Sequence, residues 1–407
     1  MVVDVDVVII GAGLAGLSLS YFLQRRGIGH VVLEPSRIGD SWHHRRWQSF
    51  TRVTPGWMNH RPGLPHAFGP EAFLPRAAVV DYFEQYARHW ALPIEEECRA
   101  TAVCPRLDGW DALAGSDPWQ SRAVVLALGA MRRPTIPTWT AFWPATIAQY
   151  SSAEYRTPDA RPPGAILVAG SGQSGCQIAE ELLDAGRSVF LSVGRCGRRP
   201  RRDRGRDRLS WLAAMGIYDW PLETPRPADL NVTGNPTVTG KNGSHTLDLR
   251  ALASRGLQFL GRAVAVHGDG TLALADDLAE NLETADGFAA TVCHTSDAYI
   301  EETGMAVSPA EAPHEAVLTV PTSPRTLDLH QHDIGAVWAT GVRPDTAVWR
   351  PGVTDDAGHV HSRRGHPRWP GLYVIGLPWL FTLKSSLIYG MTLDAAEIAN
   401  DIAASVA

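Results

Sequence analysis

Two glycine-rich turns, each lying between a predicted strand and a predicted helix, constrain the fold of this chain more than any other feature. The first glycine loop, Gly11–Gly16, reads G-A-G-L-A-G and follows the β-branched run from Val5 to Ile10. The second glycine loop, Gly170–Gly175, reads G-S-G-Q-S-G and follows the apolar run from Ala165 to Ala169. After each loop the pattern predicts a helix and then another strand. This order is typical of a βαβ unit that binds a dinucleotide.

The first glycine loop is followed by a carboxylate at the expected distance. A helix is predicted from Leu17 to Arg26 and a strand from His30 to Leu33, which ends at Glu34. Glu34 lies 34 − 13 = 21 residues after Gly13, and an acid at this spacing accepts the ribose hydroxyls. Glycines let the backbone approach the diphosphate, and the helix N-terminus offers free N–H groups. The residues predicted to hold this first cofactor are Gly11, Gly13, Ala15, Gly16 and Glu34.

The second unit differs from the first at the residue that distinguishes one cofactor from another. Counting 23 residues from the first glycine leads to Glu34 in the first unit but to Val193 in the second, and Arg195 follows. With no carboxylate to repel a 2′-phosphate and a guanidinium to bind one, NADPH is favoured over NADH. The residues predicted to hold this second cofactor are Gly170, Ser171, Gly172, Gln173, Ser174, Arg195 and Arg199.

Further arginines follow Arg195 in the arginine run, Arg198–Arg208, which reads R-R-P-R-R-D-R-G-R-D-R. Such a run is usually solvated, so most of these side chains are expected to be exposed. A nucleic-acid patch is the other interpretation. The formal net charge of −6 gives no general attraction to nucleic acid or to an anionic membrane.

The order of the two sites, together with five further segments, resembles the class B flavin-dependent monooxygenases. This family includes N- and S-oxygenating, YUCCA-type and Baeyer–Villiger enzymes, and the most similar branch is that of bacterial flavoproteins described as related to cation transport. The segments that carry the resemblance run from Glu34 to Trp42, from Trp47 to Asn59, from Ala123 to Pro134, from Asp333 to Gly341 and from Gly371 to Ser386.

The resemblance implies FAD in the first site and NADPH in the second. It also implies further cofactor contacts at Ser41, Trp42, Thr54, Gly129, Ala339, Thr340, Gly341, Gly376 and Leu387. A helix is expected from about Thr392, with its N-terminus directed at the flavin, where the helix dipole would stabilise negative charge.

The chain departs from this family at two places. Of the family signature F-x-G-x-x-x-H-x-x-x-Y only Tyr155 is present, and Val53 occupies the position at which N-oxygenating members have an asparagine facing the flavin. Trp57 and Asn59 are therefore the candidate catalytic residues at the flavin face. Packing of the tryptophan and turn capping by the asparagine are the alternative roles.

These observations predict an α/β fold with two Rossmann-like dinucleotide-binding domains, in which the NADPH domain is inserted into the FAD domain. The FAD domain is predicted to comprise residues 1–158 and 327–407, and the NADPH domain residues 159–326. Hinges are expected at 156–164 and 322–325, where proline interrupts the pattern. The segment from Pro221 to Ser244 is expected to form a long loop near a substrate pocket.

The resemblance implies a monooxygenase that transfers one oxygen atom of dioxygen from C4a-(hydro)peroxyflavin to a small-molecule substrate. The reaction would be N- or S-oxygenation or of the Baeyer–Villiger type. An NADPH oxidase or flavin reductase, and a redox-sensing protein that binds FAD and NADPH, remain alternatives. Neither a nucleic-acid nor a membrane partner is expected, and a homodimer is left open.

The cysteine pattern argues for a reducing compartment. Five cysteines are scattered along the chain with no C-x-x-C pair, which disfavours a redox dithiol, a disulfide framework and a thiolate zinc site. The histidines at 43, 44, 60 and 66 lack acidic or thiol partners at ligand spacing, so no metal is expected. No apolar stretch reaches the roughly 20 residues of a membrane span, and a cytoplasmic location is expected.

Overall fold

A computed structural model describes residues 3–115, 117–160, 164–221, 223, 237–309, 322–331, 333–345, 348, 353 and 362–406. The α-helices in these ranges are α1 (Leu14–Arg25), α2 (Asp40–His44), α3 (Arg76–His89), α4 (Gln173–Asp184), α5 (Arg208–Ala214), α6 (Leu249–Ser254), α7 (Leu278–Thr303) and α8 (Ile388–Val406). The strands are β1 (Val3–Ile10), β2 (His30–Leu33), β3 (Ile94–Glu95), β4 (Ala100–Arg106), β5 (Gly109–Ala114), β6 (Asp117–Leu126), β7 (Arg133–Pro134), β8 (Gln149–Ser151), β9 (Ile166–Ala169), β10 (Val189–Ser192), β11 (Arg202–Asp203), β12 (Arg206–Asp207), β13 (Val238–Thr239), β14 (His245–Thr246), β15 (Gln258–Leu260), β16 (Ala263–Val266), β17 (Thr271–Leu274), β18 (Thr326–Asp328), β19 (Gly335–Trp338), β20 (Val342–Arg343), β21 (Ser362–Arg363), β22 (His366–Pro367) and β23 (Leu372–Val374).

The first sheet is mixed and is built from both halves of the chain. Its strands lie in the order β3-β2-β1-β6-β5-β4, and β23 also pairs with β6. β1 runs parallel to β2 and β6, so the first glycine loop leaves the sheet at its centre. The beginning of β6 pairs antiparallel with β5, whereas its residues 124–126 pair parallel with β23. One central strand therefore connects the N-terminal βαβ unit to the C-terminal segment.

The second sheet is entirely parallel and has the order β15-β10-β9-β19-β8. β9 lies in its middle and leads into the second glycine loop. Strands at such a position are covered on both faces and are uniformly apolar. The four residues of β9 and the four of β10 are all buried accordingly.

The chain passes between the two sheets at points that differ from the predicted hinges. β8 and β19 belong to the second sheet, although both lie outside the predicted range 159–326. The first crossing therefore lies between β6 and β8, and the return lies after β19. Sequence patterns missed this because β8 has only three residues, which is too short for a periodic signal.

Short strands join the two crossings to each other. β7 pairs antiparallel with β20, and the Thr135 amide donates to the Gly341 carbonyl at 2.9 Å. The segment that leaves the first sheet (β7) and the segment that returns to it (β20) thus lie side by side, and we call this pair the two-stranded connection.

Both predicted βαβ units are confirmed, and β2 has the predicted bounds.

The last helix differs from the prediction, because α8 begins at Ile388 and not near Thr392. A 3-10 turn, Leu383–Ser386, with a capping box between Thr382 and Ser385, leads almost directly into it. Most of the predicted 221–244 loop lies outside the described residues. No described helix combines the length and the apolar character needed to cross a membrane.

Candidate functional site

The first glycine loop is pressed against its own sheet at two glycines and is open at the third. Gly11 has φ +112°, and a Cβ there would lie 2.6 Å from the Ala127 carbonyl oxygen. A Cβ on Gly16 would lie 1.9 Å from the Gly11 carbonyl oxygen, so α1 packs directly on the loop backbone. Around Gly13 nothing lies within 4 Å of such a Cβ. Gly13 is also the N-cap residue of α1 and has no side chain to cap the helix. The free N–H groups in the first turn of α1 can therefore bind a ligand.

Glu34 lies at the edge of this open space and is held by the loop itself. Its side chain is buried and accepts hydrogen bonds from the Ala12 amide at 2.8 Å and from the Ser36 amide at 3.3 Å. Burial raises the pKa of the Glu34 carboxyl, and the two amide donors oppose that effect. The carboxyl is therefore fixed beside the helix N-terminus, where ribose hydroxyls would lie.

The second glycine loop repeats this geometry closely. Gly170 has φ +106°, and a Cβ there would lie 2.6 Å from the Ala339 carbonyl oxygen. A Cβ on Gly175 would lie 1.8 Å from the Gly170 carbonyl oxygen, and nothing lies within 4 Å of one on Gly172. The loop therefore offers the same cradle for a diphosphate, at the N-terminus of α4.

Ser171 connects the second glycine loop to the segment that carries Arg195. Its hydroxyl donates to the Gly194 carbonyl at 3.1 Å and accepts from the Gly194 amide at the same distance. Arg195 is thereby held next to the loop, and its side chain is exposed. The Gln173 amide group bonds to the backbone of Val238, so it joins the loop to β13. Ser174 is half-buried in the first turn of α4.

The A-T-G segment and Gly129 lie where the two sheets are joined. The Ala339 amide donates to the Ala169 carbonyl at 2.8 Å, which places Ala339 against the second glycine loop. Thr340 donates to the Thr135 carbonyl, and Gly341 has φ +111°. Gly129 has φ +76° and open space beside it. Ala339 therefore lies against the second glycine loop, and Thr340 and Gly341 lie beside Thr135 of the two-stranded connection.

The predicted flavin-face loop, residues 53–59, is stabilised by its own side chains. Asn59 is fully buried, and its amide group donates to the carbonyls of Thr54 and Pro55 at 3.0 and 2.9 Å. Its oxygen accepts from the Thr54 hydroxyl at 2.8 Å, and that hydroxyl accepts from the Arg52 Nε at 2.9 Å. These contacts support the turn-capping role of Asn59, because they use the whole amide group.

Trp57 and the C-terminal segment meet in an aromatic cluster. The Trp57 ring lies edge-on to Tyr389 in α8, with ring centroids 5.8 Å apart, and Leu387 packs in the same cluster. Lys384 is buried below Tyr389, 5.0 Å from the ring centroid, and pairs with Asp219. The start of α8 thus lies against the flavin-face loop.

Three other predicted contacts, Gly376, Ser41 and Trp42, lie on segments that border the first glycine loop. A Cβ on Gly376, at φ +82°, would lie 2.9 Å from the Ala15 Cβ, so the end of β23 touches α1. The Gly39 amide donates to the Ala12 carbonyl at 3.1 Å and leads into the helix that carries Ser41 and Trp42. Trp42 itself packs edge-on against Phe50 and Phe83, with ring centroids 5.9 and 6.2 Å apart, so its ring serves packing.

The expectation that most of the arginine run is solvated is wrong. Arg201 and Arg208 are 2% and 1% exposed, and they pair with Asp207 and Asp203. Arg198 and Arg204 pair with Asp286 and Asp297 of α7. Arg199 lies with its guanidinium 5.1 Å from the Phe288 ring centroid. The buried positive charge is tolerated because aspartates of the β11–β12 hairpin and of α7 pair with these arginines.

Arg61 is a buried arginine against the first turn of α1 that the sequence patterns did not single out. It is 3% exposed, lies 4.2 Å from the Tyr86 ring centroid, and donates to the Leu14 carbonyl in the first turn of α1 at 3.2 Å. Its Nε and Nη1 have no hydrogen-bond acceptor among the described residues. Burial lowers the pKa of this guanidinium. No motif surrounds Arg61, so only its position against α1 reveals it.

A cavity of about 870 Å³ opens between the segment from Pro35 to Asp40, which follows Glu34, and the two-stranded connection. Five arginines line it, and of its two carboxyls Glu154 is bound by Ser151 while Asp40 faces Arg132. The lining arginines are Arg45, Arg99, Arg132, Arg156 and Arg343. The cavity therefore favours anionic groups. Across the described ranges, no three His, Cys, Asp or Glu side chains are placed to hold a metal ion.

Asp394 of α8 yields a prediction on pH dependence. Its carboxyl is 3% exposed, and burial raises its pKa from 3.8 to about 7. The folded state therefore holds a proton that the unfolded chain releases near pH 4, so stability is lost as pH rises towards 7. Asp394→Asn should raise the free energy of unfolding at pH 8 by roughly 2–4 kcal/mol. The gain should vanish near pH 4, and denaturant titrations at both pH values measure it. An equal gain at both would assign it to packing.

Comparisons with known proteins place this geometry in context. Residues 8–214 match the family described as pyridine nucleotide-disulphide oxidoreductase. An uncharacterized CzcO-like oxidoreductase of Geobacillus kaustophilus is 26% identical over 402 residues, which cover 98% of both chains. The indole-3-pyruvate monooxygenase YUCCA4 of Oryza sativa is 28% identical over 204 residues, or 45% of this chain and 46% of that protein.

Among solved structures, the flavin-containing monooxygenase of Stenotrophomonas maltophilia superimposes with a TM-score of 0.68. The match covers 100% of both chains at 20% sequence identity. At this level of identity the likeness concerns the fold.

Proposed function

This chain belongs to the pyridine nucleotide-disulphide oxidoreductase family, and because its relatives confirm the resemblance to class B flavin monooxygenases, we propose that it is an FAD- and NADPH-dependent monooxygenase. The substrate is a small molecule, and one oxygen atom of dioxygen is transferred to its nitrogen or sulfur, or next to its carbonyl. One observation carries the proposal: two glycine loops of the same geometry, each open at its central glycine, Gly13 or Gly172. When bound, FAD held by the first glycine loop and NADPH held by the second would supply the chemistry of hydride transfer and dioxygen activation.

The residues around each loop fit the two cofactors. FAD would lie along the first loop, with its diphosphate at the N-terminus of α1 and its ribose hydroxyls on Glu34. NADPH would lie along the second loop, with its diphosphate at α4 and its 2′-phosphate at Arg195. We keep the arrangement of an FAD domain and an inserted NADPH domain as part of this proposal, with the two-stranded connection as the hinge.

The aromatic cluster next to the flavin-face loop is the proposed substrate region. Trp57, Tyr389 and Leu387 exclude water there, and the N-terminus of α8 supplies positive potential beside them. Trp57 is proposed to touch the substrate or the flavin. Asn59 is proposed to act through the loop that it caps, because its amide group is fully bonded within that loop.

The proposal is tested by following NADPH consumption, dioxygen consumption and hydrogen peroxide release together, with a panel of amines, thioethers and ketones. A monooxygenase consumes NADPH faster with one class of compound and releases less peroxide as oxygenated product forms. Peroxide equal to NADPH under every condition would instead support the second candidate, an NADPH oxidase. That candidate is favoured by the position of Val53 and by the bonded amide group of Asn59.

Arg195 provides a test of cofactor choice. Arg195→Ala is expected to raise the KM for NADPH about 10- to 100-fold, because a charged contact to phosphate is worth roughly 1.5–3 kcal/mol. The KM for NADH should change less than about threefold, since NADH lacks the 2′-phosphate. Steady-state kinetics with both cofactors measure this, and Arg325→Ala, which changes an exposed arginine paired with Asp276, is the control. Equal changes for both cofactors would place the phosphate elsewhere.

A further inference from the structure

A short hairpin inside the arginine run carries two buried arginines in matching positions. β11 and β12 are joined by a turn at Arg204 and Gly205, with φ +51° and +74°. The Arg208 amide donates to the Arg201 carbonyl at 2.8 Å, so these two residues stand opposite each other at the base of the hairpin. Each pairs with an acid of the opposite strand: Arg201 with Asp207 at 2.7 Å, and Arg208 with Asp203 at 2.8 Å.

The two arginines differ in what else they contact. Arg208 donates to the Val292 carbonyl at 3.1 Å and to Ser296, both in α7, so it anchors the hairpin to the helix beside it. Arg201 reaches the other way and donates to the Val53 carbonyl at 2.7 Å. Its guanidinium also lies 4.5 Å from the Phe73 ring centroid. Arg201 therefore links the hairpin that follows the second βαβ unit to the flavin-face loop.

A second close contact touches the same stretch of backbone. A Cβ on Gly240 would lie 1.9 Å from the Arg52 carbonyl oxygen, so the turn between β13 and β14 packs directly on residue 52. β14 also holds Arg201, because the Thr246 hydroxyl accepts from the Arg201 amide at 2.7 Å. Residue 52 is thus held by a backbone contact from the β13–β14 turn, and residue 53 by the charged donor of Arg201.

The hydrogen bonds continue from this point into the loop. The Arg52 Nε donates to the Thr54 hydroxyl, which donates to the Asn59 side-chain oxygen. Burying a guanidinium is costly unless every neighbouring group compensates it. The Arg201 side chain is compensated by the Val53 carbonyl and by Asp207, while its Nε has no hydrogen-bond partner among the described residues. Loss of either contact would leave the buried charge still less compensated, so the position of the loop and that of the hairpin depend on each other.

We propose that Arg201 is a positioning residue that holds the flavin-face loop in register with the NADPH-binding unit. The inference rests on the proposed function, because that function places the flavin ring at this loop and the nicotinamide at the second glycine loop. Hydride transfer requires the two rings at contact distance, and displacement by about 1 Å can lower such a rate about 100-fold. Arg201 acts on that distance through the Val53 peptide.

The matched pair Arg201→Lys and Arg208→Lys tests this in the flavin-loaded protein. Each keeps its positive charge next to its aspartate but loses the planar fork that serves several acceptors at once. Hydrogen–deuterium exchange followed by peptide mass spectrometry reports on residues 50–59 and 288–298 separately. In R201K, amides of 50–59 should exchange about 10-fold faster while 288–298 is unchanged, and R208K should show the reverse.

Stopped-flow reduction by NADPH supplies the second readout. R201K should lower the limiting rate of flavin reduction about 10- to 100-fold and change the Kd for NADPH less than about threefold. R208K should leave the limiting rate within about twofold of the parent. Equal losses in both variants, or a normal rate with normal exchange of 50–59 in R201K, would overturn the positioning role.

A second variant covers the case in which R201K does not fold. Arg201→Gln combined with Asp207→Asn removes both charges, and asparagine at 207 can still cap α5, as Asp207 does through the Leu209 amide at 2.8 Å. This double variant is expected to show the same faster exchange of residues 50–59 and the same slower flavin reduction as R201K. Exchange of residues 50–59 at the parental rate would overturn the proposal. A parent protein that NADPH does not reduce would contradict the proposed function, while the exchange data would still decide whether Arg201 anchors the loop.

Discussion

Gly175→Ala is expected to give a yellow protein that NADPH no longer reduces. The added methyl group would lie 1.8 Å from the Gly170 carbonyl oxygen, far inside contact distance, so α4 must move away from the second glycine loop. Such movement separates the helix N-terminus from the diphosphate that it binds. We expect the Kd for NADP⁺ to rise at least about 100-fold, which corresponds to about 3 kcal/mol. The flavin content should stay at the parental level, because the first glycine loop belongs to the other sheet.

Calorimetric titration with NADP⁺, the flavin absorbance near 450 nm and reduction by dithionite distinguish the outcomes. Gly287→Ala is the matched control, because this glycine lies in α7 with nothing within 4 Å of an added Cβ. That change should stabilise the protein by up to about 1 kcal/mol and leave NADP⁺ binding unaltered. A Gly175→Ala protein that binds NADP⁺ as tightly as the parent would mean that the second loop holds no nucleotide.

Gly16→Ala is expected to give a colourless protein. The methyl group would lie 1.9 Å from the Gly11 carbonyl oxygen and 3.4 Å from the Ile9 Cγ2, at the centre of the first sheet. Relief of this overlap moves α1 away from β1, at a cost of about 1–3 kcal/mol for overpacking, and removes the cradle for the FAD diphosphate. The melting temperature should therefore fall together with the flavin content.

Gly13→Ala separates the loss of FAD from the loss of stability. Nothing lies within 4 Å of an added Cβ at Gly13, so this variant should melt like the parent and still bind FAD more weakly, because the methyl group takes the space of the diphosphate. Fluorescence titration of both variants with FAD gives the affinities. The assignment of the first loop to FAD fails if Gly16→Ala is purified with parental colour.

Local patterns in the sequence predict those parts of the fold in which each residue's role depends on its neighbours along the chain. Both βαβ units are of this kind, since the glycines, the apolar runs and Glu34 occur at short, regular spacing. The alternation of strands and helices follows from the same patterns. The choice of Arg195 as the 2′-phosphate contact also derives from spacing, and it stays a prediction.

Contacts between distant segments cannot be derived in this way. Arg198 and Arg204 are separated from Asp286 and Asp297 by 88 and 93 residues, so nothing near the arginine run indicates that acids of α7 pair with these two arginines. The three-residue strand β8 is assigned to the second sheet only by pairing with β19. The link from Arg201 to Val53 spans 148 residues and joins the β11–β12 hairpin to the flavin-face loop.

The amino-acid sequence by itself determined the two glycine loops, their strands and helices, and the family resemblance, because glycine conformation and hydrophobic periodicity act over a few residues. Only the tertiary structure decided which charges are buried, where the chain crosses between the sheets, and how the flavin-face loop is held. The physical reason is that burial and ion pairing depend on which surfaces meet in space, and packing sets this only once the sheets have formed.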